Sequence, residues 1–307
     1  MADFELVTDG LAFPEGPVAM PDGSVILTEI AAQQITRVYP DGRKEVVAKT
    51  GGGPNGLAMG PGGKLYCTNN GGFNWARGPK GEYAPHGIAD DYAGGKIQRI
   101  DIQTGEVQTV YQTGDYGCIL RGPNDLMFDQ HGGFWFTDHG KEDFKTRCHD
   151  IVGIFYAKPD GSFLEEVIFP SANPNGIGIS PDGKHLYAAE TYTCRITKFN
   201  ITEPGKVDGT AGAGGPGIPI YRPAGWKYFD SLAMEASGNV CVATIGESGI
   251  SVVSPTGELV EFVPTDDIFT TNICFGGADM QDAWITLSGS GRLVKTRWNR
   301  PGMKLQY

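Results

Sequence analysis

The stretch PNGLAMGPGGKLYCTN (Pro54–Asn69) decides the fold: a polar anchor, an apolar run, a Gly-rich turn, then a second apolar run ending near Thr. The same phrase returns as EGPVAMPDGSVILTE (Glu15–Glu29), PNDLMFDQHGGFWFTD (Pro123–Asp138) and PNGIGISPDGKHLYAAE (Pro174–Glu190). Two further copies are DSLAMEASGNVCVAT (Asp230–Thr244) and the more degraded NICFGGADMQDAWIT (Asn272–Thr286). In most copies Asp-Gly, Gly-Gly or Ser-Gly separates two short strand-like runs, the strongest local sign of a β-hairpin. A second hairpin follows most of them, as in ITRVYPDGRKEVVA and GISVVSPTGELVEFV. Two hairpins per repeat make a four-stranded antiparallel sheet.

The anchors Glu15, Asn55, Asn124, Asn175, Asp230 and Asn272 lie 40 to 69 residues apart, the period of propeller blades carrying loop insertions. The expectation is one all-β domain over 1–307, a six-bladed β-propeller. Its N-terminal strand, from FELVTDGLAF, would complete the last blade and remove the exposed edges. Sustained helical periodicity is missing, which argues against an α/β fold. The insertion at about 69–95 carries Phe73, Trp75, Tyr83 and Tyr92 and reads as a packed lid. The segment Thr202–Gly217 reads as a turn or loop.

With 25 Lys and Arg against 36 Asp and Glu the net charge is −11, which repels phosphate backbones and anionic lipid. Nucleic acid and membrane are therefore not expected partners. The acidic start MADFELVTDG has neither the basic flank nor the apolar run of a signal peptide, so a cytoplasmic protein is expected. Its 6 cysteines are scattered with no C-x-x-C pair and read as buried free thiols. Neither G-x-S-x-G nor H-E-x-x-H is present.

In a propeller the innermost strands line one axis, so the six anchors should converge there. All are carboxylates or carboxamides, the oxygen donors that hard divalent cations take. Asx turns explain any one of them. Turn chemistry would equally admit Gly or Ser, and a position that repeats only as Glu, Asn or Asp points to a metal ion. Calcium suits the set, and magnesium, manganese, zinc or ferrous iron are compatible with it. His139, in FTDHG, follows the inner hairpin of blade three and is placed to reach the pocket.

The motifs EGP at Glu15, RGPND at Arg121–Asp125, NPNG at Asn173–Gly176 and FDSLA at Phe229–Ala233 resemble the SMP-30/gluconolactonase/luciferin-regenerating-enzyme-like family. That family is similar in plan to calcium-dependent paraoxonase-type propellers, and the likeness runs along essentially the whole chain. It implies one divalent metal in the channel and a lactonase activity on a small lactone, by default a sugar aldonolactone; the aromatic residues of the 69–95 insertion leave room for a more apolar or aryl one. It also implies Glu15, Asn175 and Asp230 as metal ligands, with Asn124 beside the metal or on the substrate. Arg121 matches a substrate-contacting arginine, although Gly122 and Pro123 put one more residue between it and Asn124 than the family spacing has. Asn55 and Asn272 fall at pocket-lining positions. Asp230, one of two carboxylates in the ring, is the candidate general base, and Trp226, Tyr228 and Phe229 beside it suggest an aromatic pocket wall. The rival from another class is a non-catalytic propeller that binds a partner and keeps the metal for structure. A strictosidine-synthase-like propeller would not need Glu15, Asn175 and Asp230 together. The oligomeric state is not readable.

Overall fold

The computed structural model describes residues 3–209 and 217–307. Six antiparallel sheets surround one axis as a six-bladed β-propeller. Blade one is built from Pro14–Ala19, Val25–Glu29, Gln34–Val38 and Lys44–Lys49 in chain order from the axis outward. Blades two, three, four and five start at the axis with Pro54–Gly60, Pro123–Phe128, Pro174–Ile179 and Tyr228–Met234. Blade six runs Thr270–Gly276, Asp282–Leu287, Arg292–Arg297. Its fourth strand is Glu5–Thr8, which pairs antiparallel with Arg292–Arg297 and closes the ring, as the repeat pattern requires.

Burial follows the layering. The second strand of each blade lies between two neighbouring blades, so Val25–Glu29 and Phe134–Asp138 are buried on both faces and read as continuous apolar runs. Outer strands such as Lys44–Lys49 are mostly exposed. The apolar side chains gather into six clusters, one in each gap between successive blades. Trp135 and Tyr156, for example, meet Ile177, Leu186 and Phe199 between blades three and four.

All six innermost strands touch their neighbours in turn around the axis. Each carries a β-bulge at or near its anchor, between Glu15 and Val18, Pro54 and Leu57, Pro123 and Leu126, Pro174 and Ile177, Phe229 and Leu232, and Thr270 and Asn272. Bulges re-aim side chains and are common beside active sites. Glycine follows the anchor in three blades because the strands press together there. A Cβ on Gly56 would stand 2.6 Å from the Asn124 carbonyl oxygen and 2.8 Å from Asp125 Oδ1. Hydroxyls of second strands pin the next blade: Thr28 Oγ1 donates to the Asn55 carbonyl at 2.8 Å, and Thr68 Oγ1 to that of Asn124. This is why the repeat so often ends in Thr.

Two insertions depart from simple blades. Within 69–95, Phe73–Arg77 pairs with Tyr83–Ile88 as a separate two-stranded hairpin. In the second insertion, Arg195–Glu203 continues as strand and Lys206–Val207 folds back onto it, so the start of that segment is hairpin and not plain loop. The reading of its remainder falls largely on residues 210–216, outside the described residues. All six cysteines are free; Cys67, Cys194 and Cys241 are buried, but Cys148 is exposed on a surface hairpin, against the expectation of buried thiols. Among the described residues no helix is long and apolar enough to cross a membrane.

Candidate active site

The six anchors are all buried, each between 2% and 9% exposed. Glu15 Oε2 accepts Asn272 Nδ2 at 2.8 Å and the Gly16 N–H at 2.8 Å. Asn175 Nδ2 donates to Thr191 Oγ1 at 3.3 Å, its Oδ1 accepts Ser231 Oγ at 3.5 Å, and its amide tempers the rise of the Asp230 carboxyl. The backbone N–H of Ser231 also bonds the Asp230 carboxylate. Asn272 thus directs its amide at Glu15, while its own Oδ1 accepts the Ile273 N–H at 2.8 Å. Asn55 is buried in the same ring, its carbonyl taken by Thr28.

Three carboxyls share this dry space. Burial, and then the charge of Glu15, pushes Asp125 up to about 8, and the same two causes hold Asp230 well above the ordinary carboxyl range. Glu15 itself is raised by burial. Asn124 Oδ1 is buried and has no hydrogen-bond partner. Orphaned buried acceptors are costly, and one in a ring that also carries buried carboxyls belongs to a donor set that suits a hard cation. The residues therefore fit a hard cation. Among the described residues no three His, Cys, Asp or Glu side chains are grouped to hold a metal, so such an ion would need carboxamide oxygens as well as Glu15 and Asp230.

Around the ring, His139 lies beside Thr191, its Nε2 at 3.2 Å from Thr191 Oγ1, and its ring is 5.7 Å from that of Tyr192. Burial, and then Lys141, pushes His139 down to about 4, so it is neutral at physiological pH. Tyr192 meets Tyr228 edge to face at 5.9 Å and feels the charge of Asp230. Arg121 stands apart from the anchors' hydrogen bonds: its Nε pairs with Asp150 Oδ2 at 2.9 Å, its guanidinium lies 5.5 Å from the Tyr92 ring, and its carbonyl accepts Tyr92 Oη at 2.6 Å. Asp138 binds the backbone N–H groups of Arg121, Gly122 and Gly140, which fixes the approach to Asn124. Phe229 is fully buried between blades four and five, on the opposite side of the strand from Asp230, and is not a pocket wall. Trp226 is 74% exposed.

Sequence reasoning missed Asp125, Tyr192 and Lys141. Asp125 stands where the other Asn anchors of blades two and four are followed by Gly, and that exception was visible in the repeats. Lys141 had no such sign. It is 3% exposed, its Nζ donating to Gly72 O at 2.8 Å and Asn70 Oδ1 at 3.1 Å and lying 3.8 Å from the Phe73 ring centre. It thereby ties the base of the inserted hairpin to blade three. The hairpin's other side packs Trp75 on Phe13 at 5.0 Å, and Tyr83 N donates to Gly289 O.

Comparison with known proteins gives a family model, the SMP-30/gluconolactonase/LRE-like region, matching residues 13–289. The chain belongs to this family. A relative in it, lactonase drp35 of Staphylococcus haemolyticus, is 28% identical over 79% of this chain and 66% of its own length, just under two thirds. A gluconolactonase of Zymomonas mobilis is 23% identical over 95% of this chain and 80% of its own. Among solved structures, the calcium-binding protein regucalcin of Agrobacterium tumefaciens superposes with a TM-score of 0.73 at 17% identity, covering 99% of this chain and 98% of that one. At that identity the likeness concerns the fold. The family's propeller plan is the one built here.

Proposed function

We propose that this chain is a metal-dependent lactonase that opens a small lactone to its hydroxy acid. The reading rests on one observation above others: the unpartnered buried Oδ1 of Asn124 within an oxygen-donor ring that contains Glu15 and Asp230. Two relatives carrying the names lactonase and gluconolactonase support the reaction class. Glu15, Asn175 and Asp230, with Asn124, would hold one divalent cation, calcium by the hardness of the donors, with magnesium, manganese, zinc or ferrous iron as alternatives. A cation bound there supplies Lewis-acid polarisation of the lactone carbonyl.

The chain's own groups do the rest. Glu15, held by Asn272 and Gly16, is kept as a ligand, and Asp230, the other carboxylate among the six anchors, is assigned as general base as well as ligand. Asp230 takes a proton from water as the water oxygen bonds to the carbonyl carbon. The ring C–O bond then breaks, and that proton passes to the departing alkoxide, so the product carries both new groups. Asn124 orients the ester, while Asn55 and Asn272 line the pocket floor. Neutral His139, with Tyr192 behind it, forms a wall that offers a hydrogen bond without adding charge. Arg121 serves the substrate through the edge it shares with Asp150 and Tyr92, and the inserted hairpin at 69–95 acts as a lid that excludes water. A sugar aldonolactone is the first substrate class, and the Tyr192–Tyr228 pair favours an aryl lactone as the second. A cytoplasmic location belongs to the same reading.

The test is acid release from a panel of sugar and aryl lactones, followed with a pH indicator, for chelated, calcium-restored and Asp230→Asn protein. Calcium-dependent turnover that disappears in Asp230→Asn is expected. Absence of turnover on every lactone, with calcium still bound, would replace this reading with a partner-binding propeller.

A further inference from the structure

Below the ring, on the side away from Lys141 and the inserted hairpin, the channel widens into a cavity of about 650 Å³. Its ceiling is Gly16, Asp125 and Asn272, and its outer wall is the C-terminal segment Met303–Tyr307. The chain has 7 methionines, and every one after Met1 lines this single space: Met20, Met59, Met127, Met234, Met280 and Met303. They arrive from blades one, two, three, five and six and from the tail. Core packing accounts for only part of this: Met234 is a buried member of one inter-blade cluster and Met20, Met59, Met127 and Met303 pack against such clusters, yet each of them, and Met280, also lines the cavity.

Methionine is unbranched and polarisable and moulds itself to varied apolar shapes, so a surface collected from it suits an adaptable hydrophobic ligand. Leu57, Leu126, Ile177, Leu232, Phe275 and Trp284 complete the apolar lining. The volume falls within the range of small-molecule pockets. Charge is confined to the two ends. At the mouth Lys295 is paired with Asp282 at 3.0 Å and the exposed Lys304 stands on the tail, and at the ceiling lies the Asp125 carboxyl; the lining between them is mostly apolar.

We infer that this cavity is a second binding site, distinct from the metal ring, for an uncharged apolar molecule of aryl or alicyclic type. The tail residues Met303–Tyr307 form its adjustable wall. Met303 N donates to Met234 O at 2.8 Å and fixes one end, while the Tyr307 ring packs edge-on against Phe128 at 5.3 Å at the other. A ligand there meets the ring only from below, at Asp125 and Asn272 in the ceiling, and its binding is measurable without any lactone turnover.

The probe is N-phenyl-1-naphthylamine, an uncharged fluorophore that brightens in apolar surroundings, titrated into the full chain. Saturable binding of one probe per chain is expected, with quenching of Trp284 that is lost in Trp284→Phe. Met127→Trp and, from another blade, Met20→Trp should each weaken binding at least tenfold by filling the space, and either variant that keeps the wild-type melting temperature decides the matter. Trp226→Ala, at the exposed aromatic on the other side of blade five, should leave binding unchanged. The inference is overturned if no saturable binding is seen, if the folded filling variants bind as wild type does, or if Trp226→Ala removes the binding.

Discussion

Asn272 Nδ2 donates to Glu15 Oε2 at 2.8 Å, across the seam where the last blade meets the first. The bond joins residues 257 positions apart and aims the Glu15 carboxylate inward. Asn272 is thus a positioning residue. Hydrogen bonds to a charged group contribute roughly 1.5–3 kcal/mol. Asn272→Ala should weaken calcium binding about tenfold or more on that scale. Calorimetric titration with calcium checks this, and a lactone assay should show kcat/KM falling in step while the fold stays intact.

Cation binding should also show as stability. Glu15 and Asp125 both disfavour an ionised Asp230, and a bound cation reverses that repulsion. A ligand at a hundred times its Kd stabilises by about 2.7 kcal/mol. Thermal melts of chelated protein should therefore rise on adding calcium, and Glu15→Gln should flatten the response.

Lys141 yields a pH dependence with a definite sign. Burial pushes it down to about 7, against the opposing pull of Asp138 and Asp150 and with the help of Arg121. Above pH 7 the folded chain has released this proton, while the unfolded chain keeps it until about 10.4. The unfolded state then binds more protons, and stability rises with pH across that window. Wild type should gain on Lys141→Met by up to about 1.4 kcal/mol per pH unit there and by nothing below pH 7. Urea midpoints at matched pH values measure the difference. The same variant frees Gly72 O and Asn70 Oδ1, so hydrogen exchange over 72–92 should quicken.

Glu235 holds the far end of blade five. It is fully buried and accepts Trp298 Nε1 at 2.8 Å, Arg300 Nε at 2.7 Å and Asn239 Nδ2 at 2.8 Å. Arg300 is partly exposed and keeps Glu261 at 2.8 Å, so the loss is that of charge-assisted hydrogen bonds, about 1.5–3 kcal/mol. Glu235→Gln should lose stability on that scale in urea denaturation while kcat/KM per folded molecule stays unchanged. Glu235 is on the turn that follows Tyr228–Met234, and Asp230 is near the opposite end of that strand.

The propeller was legible because each blade repeats one phrase, and the closing strand because an N-terminal run had to pair somewhere. The anchors were legible for the same reason: a position recurring as Glu, Asn or Asp stands out against variable apolar neighbours. Phe229 misled because adjacency in sequence suggested adjacency in space, whereas successive strand residues face opposite ways. Lys141 was beyond reading, since its surroundings come from residues 70, 72 and 73, and only the folded insertion brings them to it. The pairing of Arg121 with Asp150, 29 residues away, was not readable because nothing in the segment around Arg121 announces it.

Pairing of Glu5–Thr8 with Arg292–Arg297 has a consequence for synthesis. A chain emerges from the ribosome N-terminus first. Glu15 therefore emerges early and Asn272 late, and the first strand must wait for the last blade before it has a partner. A prematurely terminated product carries the carboxylate without the residue that aims it, leaves Glu5–Thr8 without a partner and exposes the apolar blade face that Trp284 and Leu293 would cover. Completeness of translation is thus written into the site, which exists only in the finished ring.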